Sequence, residues 1–257
     1  AQTARALAEV ERTCPALAGE AGGQAAGGKK VSPGRSLCLT NDCRVAERTA
    51  ALMSERHEGE IAMSQNALPE FDTILLAREG RLLRLTLSRP EAMNAVNLQL
   101  HDELAEALWF AQGDPGSDVI VITGAGRAFS AGGDLDHIEN SARNPHLFDH
   151  EARIAKRIVL TLLDIDKPVI CRLNGHAIGL GATLALLCDV IFAAEGAKIG
   201  DPHVGIGLVA GDGGAVIWAQ RICLTRAKEY LLTGELITAS KAAEIGLVNH
   251  CLPAAEL

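Results

Sequence analysis

The stretch GDPHVGIGLVAGDGG, residues 200 to 214, places His203 nine residues ahead of Asp212 in a glycine-rich setting. Glycine at this density specifies loop rather than core. An imidazole titrates near neutral pH, and a neighbouring carboxylate can fix its tautomer and stabilise the imidazolium. The pair therefore has the chemistry of proton transfer. Two other stretches put small residues directly after apolar runs: DVIVITG leads to GAGRAFSAGGDL, and PVICRLNG leads to HAIGLGATL. Such turns expose backbone N–H groups at the start of a following helix, where an anion or an oxyanion is favoured. Gly132, Gly133, Gly179 and Gly181 carry no Cβ, so a ligand can approach the main chain closely. Two turns of this kind in one domain can supply two convergent N–H donors.

The elements that must hold these residues are legible from residue 71 onward. FDTILLAREG and RLLRLTLSRP read as two strands around a Glu79-Gly80 turn. NLQLHDELAEALWFAQ has apolar residues at helical spacing, at positions 98, 100, 104, 107 and 108. DVIVITG, PVICRLNG and DVIFAAE are short continuous apolar runs, as expected of buried strands. ARIAKRIVLTLLDID and GATLALLCD read as helices, TRAKEYLLTG and TASKAAEIG as helices closed by glycine, and LVNHCLP as a last strand. Strands alternating with helices predict an α/β fold.

Bulk properties exclude several functions. The chain has 257 residues and a formal net charge of -8, which argues against a nucleic-acid partner. No apolar run approaches the roughly 20 residues of a membrane helix. The seven cysteines show no CxxC and no zinc spacing. Cys171 and Cys188 sit in apolar runs and read as small buried hydrophobes of a reducing compartment. The expectation is a cytoplasmic protein. TGAGRAFSAGG is not GxGxxG, and Tyr230, the one tyrosine, is followed by Gly234 where a short-chain dehydrogenase would need lysine. No GxxxxGK[ST] occurs, so a P-loop is excluded as well.

Taken together, LSRPEAMNAVN, AFSAGGDL, NGHAIGLGATLALLCDVIFAAEGAKIG and LTGELITASKAAEIGLVNHCLP resemble the enoyl-CoA hydratase/isomerase (crotonase) family in order and spacing over residues 71 to 257. The resemblance implies an α/β fold built as a spiral of ββα units. It implies an acyl-CoA thioester substrate whose enolate is stabilised by two backbone N–H groups, here those of Gly133 and Leu180. Ala131, Asp134, Leu135 and Gly179 would line the acyl-CoA site. No metal and no redox cofactor is implied, since CoA arrives as part of the substrate. The resemblance also implies a homo-oligomer, a trimer or a dimer of trimers.

Family hydratases place two glutamates to add water across a double bond. The corresponding positions here are Thr183 and His203. A hydroxyl is no base near neutral pH, so Thr183 is expected to position water or substrate. His203 is expected to move the proton, oriented by Asp212. The His–Asp spacing also resembles the β-diketone hydrolase branch of the superfamily. Three readings follow: enoyl-CoA hydration first, C–C hydrolysis of a β-dicarbonyl second, a non-catalytic acyl-CoA binder third. His137 and His176 read as surface or supporting positions, Asp134 as a helix N-cap, and Arg89 and Lys167 as solvated charges, with CoA phosphates as their alternative partner. Residues 1 to 62 lack lasting periodicity and are expected to be a disordered or upstream extension, with the chain's natural start near Met63. The family pattern continues beyond GLVNHCLP as helices, so an incomplete C-terminal helical region is expected.

Overall fold

A computed structural model describes residues 67–257. The expected extension over residues 1 to 62 lies outside the described residues. The first two strands, β1 (Ile74–Glu79) and β2 (Leu82–Leu87), form the anticipated antiparallel hairpin, with Gly80 at φ 59° in its turn. Helix α1 (Leu98–Gly113) begins at Asn97, whose side chain accepts the Leu100 N–H at 3.0 Å. Its Leu100, Leu104, Leu108 and Ala111 are fully buried, as the apolar spacing predicted.

Three units follow, each a strand of one sheet continuing into a short strand of a second sheet. The first is β3 (Val119–Gly124) and β4 (Ala128–Ser130), followed by α2 (Leu135–Arg143) and α3 (Pro145–Asp164). The second is β5 (Val169–Leu173) and β6 (His176–Ile178), followed by α4 (Leu180–Leu186). The third is β7 (Val190–Ala194) and β8 (Lys198–Gly200), followed by a 3₁₀ turn (His203–Ile206) and α5 (Gly214–Ile222). The chain then runs through α6 (Leu224–Thr233), β9 (Ile237–Thr238), α7 (Ala239–Glu244) and β10 (His250–Leu252).

The large sheet has the order β1-β2-β3-β5-β7-β10, parallel from β2 onward. Its central strands are the continuous apolar runs of the sequence, because parallel strands are covered on both faces. The small sheet has the order β4-β6-β8-β9, and β4, β6 and β8 run parallel as neighbours. The core is aliphatic, with Trp218 and Phe129 as its largest fully buried side chains. Cys171 and Cys188 are buried and free, as expected. Among the described residues no helix is long and apolar enough to cross a membrane.

This arrangement has one consequence for the site. Because β4, β6 and β8 lie side by side and parallel, their C-terminal ends sit at one edge of the small sheet. The residues that follow them are 131–134, 179–181 and 201–203. Those segments hold the glycines and the histidine singled out in the sequence.

Candidate active site

The first two exits abut. Gly132 has φ 86°, and a Cβ there would come within 2.6 Å of the Ile178 carbonyl oxygen. Only glycine tolerates both the left-handed backbone and this approach. Around Gly133 the other amides are spoken for: Ala131 N–H donates to Met93 O at 3.0 Å, Gly132 N–H to Ser130 Oγ at 3.2 Å, and Asp134 N–H to Val96 O at 3.0 Å. In the second turn Gly179 N–H donates to Gly200 O at 2.9 Å. Among the described residues, neither the Gly133 N–H nor the Leu180 N–H has a protein acceptor. The Leu180 amide opens α4, where first-turn N–H groups have no partner inside the helix. Its side chain is buried in the core.

The third exit brings the histidine to the second. A Cβ on Gly179 would lie 3.4 Å from His203 Cε1 and 3.6 Å from Nε2, so the imidazole edge borders the space that the absent side chain leaves open at this turn. His203 Nδ1 pairs tightly with Oδ1 of Asp201, a carboxylate whose side chain is 1% exposed. Nε2 stands 3.8 Å from Asp212 Oδ2, too far for a direct hydrogen bond. The orienting partner is therefore Asp201, not Asp212. Its signal was present in the sequence, since an aspartate two residues before His203 has the spacing of an Asx turn. The Asp201 contact holds the His203 pKa above the ordinary value, against the opposing effect of burial, and the negative charge of Asp212 adds to it. Burial raises the Asp212 pKa in turn.

Thr183 departs from its expected place. It is fully buried and donates to Asp212 Oδ1 at 3.2 Å, while Gly214 N–H donates to the same oxygen at 3.3 Å. Thr183 and Asp212 thus stand behind His203 rather than on the surface a ligand would touch.

That surface bounds a cavity of about 690 Å³. Residues 131–135 form one wall, and Ile178, Gly179 and His203 another. Leu135 lies on it at 70% exposure. Asp134 occupies the N-cap position of α2 without capping it, because its carboxylate turns to the Arg89 guanidinium at 3.4 Å. Arg89 is accordingly not a solvated charge. Neither is Lys167, whose Nζ donates to the carbonyls of Ala111 at 2.8 Å and Asp114 at 2.6 Å. His137 contacts Glu151 at 2.7 Å and so links α2 to α3, while His176 Nδ1 accepts the Lys198 N–H at 3.0 Å. Both support the structure, as anticipated. Asp201, His203 and Asp212 offer ligand atoms within 4.8 Å of one another, a spacing a divalent cation could bridge.

The signature described as Enoyl-CoA hydratase/isomerase matches residues 77–257. The chain belongs to the enoyl-CoA hydratase/isomerase family. The 2,3-dehydroadipyl-CoA hydratase of Escherichia coli (strain K12) is 38% identical over 180 residues, covering 70% of this chain and 69% of that protein. The crotonyl-CoA hydratase of Syntrophomonas wolfei is 35% identical over 189 residues, covering 73% and 72%. A crystal structure of an enoyl-CoA hydratase/isomerase from Mycobacterium paratuberculosis superposes with a TM-score of 0.70 at 43% identity, covering 72% of this chain and 74% of that one. The paired sheets and the helices that follow their strands are thus the crotonase fold.

Proposed function

We propose that this protein processes acyl-CoA thioesters and that its reaction is the hydration of an enoyl-CoA. The N–H groups of Gly133 and Leu180 bind the thioester oxygen. As water adds to the β-carbon, negative charge moves onto that oxygen, and two fixed donors stabilise it where it develops. One such donor is typically worth about 2.7–4 kcal/mol in the transition state. His203 Nε2 takes the proton from the attacking water and returns one to the α-carbon of the enolate, so that one molecule of water is added overall. Asp201 holds the Nδ1–H and keeps the tautomer that leaves Nε2 free to accept. Asp212 supports the imidazolium by charge. No step is assigned to a metal or a redox cofactor, and CoA enters with the substrate.

The observation that carries this reading is that the His203 ring borders the space a side chain at Gly179 would fill, and Gly179 is the residue immediately before the Leu180 amide. It sets a group of raised basicity beside the place where the carbonyl would bind. The hydratases among the relatives support the same class of substrate.

Purified protein is offered crotonyl-CoA and, separately, a cyclic β-diketone. Turnover of crotonyl-CoA is expected, and His203→Ala should lower kcat by about 10²–10⁴, the range for loss of a general acid–base. Cleavage of the diketone without hydration would replace the reading with C–C hydrolysis. Binding of crotonyl-CoA without any turnover would make the protein a non-catalytic acyl-CoA binder.

A further inference from the structure

The loop at residues 89–97, between β2 and α1, accepts the Ala131 and Asp134 N–H groups through Met93 and Val96, and its own hydrogen bonds converge on one residue. Asn94 is fully buried and adopts φ 54°, a left-handed conformation that asparagine tolerates better than most side chains. Its Nδ2 lies within hydrogen-bonding distance of the carbonyls of Ala125 and Ala128, both at 2.9 Å, and Phe129 at 3.1 Å. Its Oδ1 accepts the Arg89 N–H at 2.9 Å. Its main-chain oxygen accepts the Ser130 hydroxyl at 2.8 Å, and that hydroxyl oxygen in turn accepts the Gly132 N–H.

The neighbours of Asn94 act on the same turn. Met93 O takes the Ala131 N–H, Val96 N–H donates to Gly132 O at 2.7 Å, and Val96 O takes the Asp134 N–H. Apart from the Asp134 carbonyl, which accepts the Ile138 N–H as α2 begins, the polar main-chain contacts of residues 131–134 return either to the loop or to Ser130, which Asn94 holds. Gly133 is the residue whose N–H the frame leaves over. Were Asn94 there only to satisfy buried carbonyls, its bonds would end at Ala125, Ala128 and Phe129. The Ser130 link extends the frame one step further, to the peptide unit directly before the Gly133 amide.

We infer that Asn94 is a positioning residue for the reaction: acting through Ser130, it aims the Gly133 N–H at the thioester oxygen without touching the substrate. Among the described residues, the second turn is held instead by the start of α4 and by the Gly179–Gly200 bond. The inference rests on the reading that Gly133 N–H binds that oxygen. A donor displaced by a fraction of an ångström keeps some of its effect, so the loss should be smaller than deletion of a donor. About tenfold to a hundredfold in kcat is expected, with KM changed by no more than about threefold.

The test uses two variants of the full chain, Ser130→Ala and Asn94→Gly. The first removes only the hydroxyl link; the second keeps the left-handed backbone accessible. Circular dichroism and thermal unfolding establish that each is folded, and Ser130→Ala carries the test alone if Asn94→Gly is not. Two quantities are read: kcat and KM with crotonyl-CoA, and the infrared carbonyl band of bound butyryl-CoA, a saturated thioester that cannot be hydrated. A carbonyl polarised by two N–H donors absorbs at lower frequency than the free thioester. In the unaltered protein the band should shift down, and in Ser130→Ala the shift should shrink in step with kcat. A full shift and undiminished kcat in that variant would overturn the role of Asn94 and leave the two-amide reading standing. An unshifted band in the unaltered protein would overturn the two-amide reading, and this inference with it.

Discussion

The turn at residues 131–134 presents a main-chain amide held by a buried frame of hydrogen bonds, whereas the stretch from Asp201 to Asp212 presents ionisable side chains, His203 held by Asp201 and Asp212 by Thr183 and Gly214. The first draws its geometry from Asn94, Ser130 and the neighbouring strand exit, and its donors do not titrate. The second depends on the ionisation of one imidazole between two carboxylates. The difference separates the tasks: the amide turn should respond to backbone disturbance and not to pH, and the histidine stretch to pH and charge.

Gly132→Ala should have the largest effect on the amide side. Its Cβ would press on the Ile178 carbonyl, and φ 86° is strained for alanine. A fall in kcat of about 10²–10³ is expected, comparable to loss of one donor, with a lowered melting temperature and an unchanged pH profile. A shifted pH profile in this variant would break the proposed separation.

Asp201→Asn should follow, with a loss of about tenfold to a hundredfold, because it weakens the contact that fixes the tautomer. It also carries the sign of the pH dependence. Only neutral His203 accepts a proton, so turnover should rise with pH through a folded-state pKa above the ordinary histidine value of about 6.5. Removing the Asp201 charge should move that rise to lower pH. The same raised pKa makes a linked contribution to stability, fully present below the unfolded pKa and lost as pH rises through the folded one. Urea unfolding on either side of that window would detect it. Asp212→Asn should act in the same direction but more weakly, by about threefold, since its nearest oxygen is 3.8 Å from Nε2 and contributes by charge alone.

How much of this could be read from the residues follows from where the determining contacts lie. β3, β5 and β7 were legible because strands covered on both faces spell their burial in consecutive apolar residues. The amphipathic α1 was legible by its period. The small sheet was not, because β4, β6 and β8 have three residues each, too few to show alternation, and exist only by pairing with one another. Helix α2 is announced only by the Asp134 N-cap position after its glycine turn, and α5, which follows the glycine-rich GDGG, carries no such mark. At the site, the glycines were legible because the absence of a Cβ has a local meaning. The partner of His203 was assigned by likeness to a longer spacing and fell on Asp212, while the closer Asp201 does the orienting. Thr183 and Lys167 are directed by groups far away in sequence, Asp212 and the end of α1, and Arg89 is held by the Ala95 carbonyl as well as by distant Asp134.

The most direct test of the central claim is a crystal structure of this chain with butyryl-CoA bound. The account predicts the thioester oxygen about 2.7–3.1 Å from both the Gly133 and Leu180 nitrogens, the separation expected of oxyanion donors, with His203 Nε2 facing the acyl carbons. A carbonyl bound elsewhere, or one reached by neither amide, would contradict it.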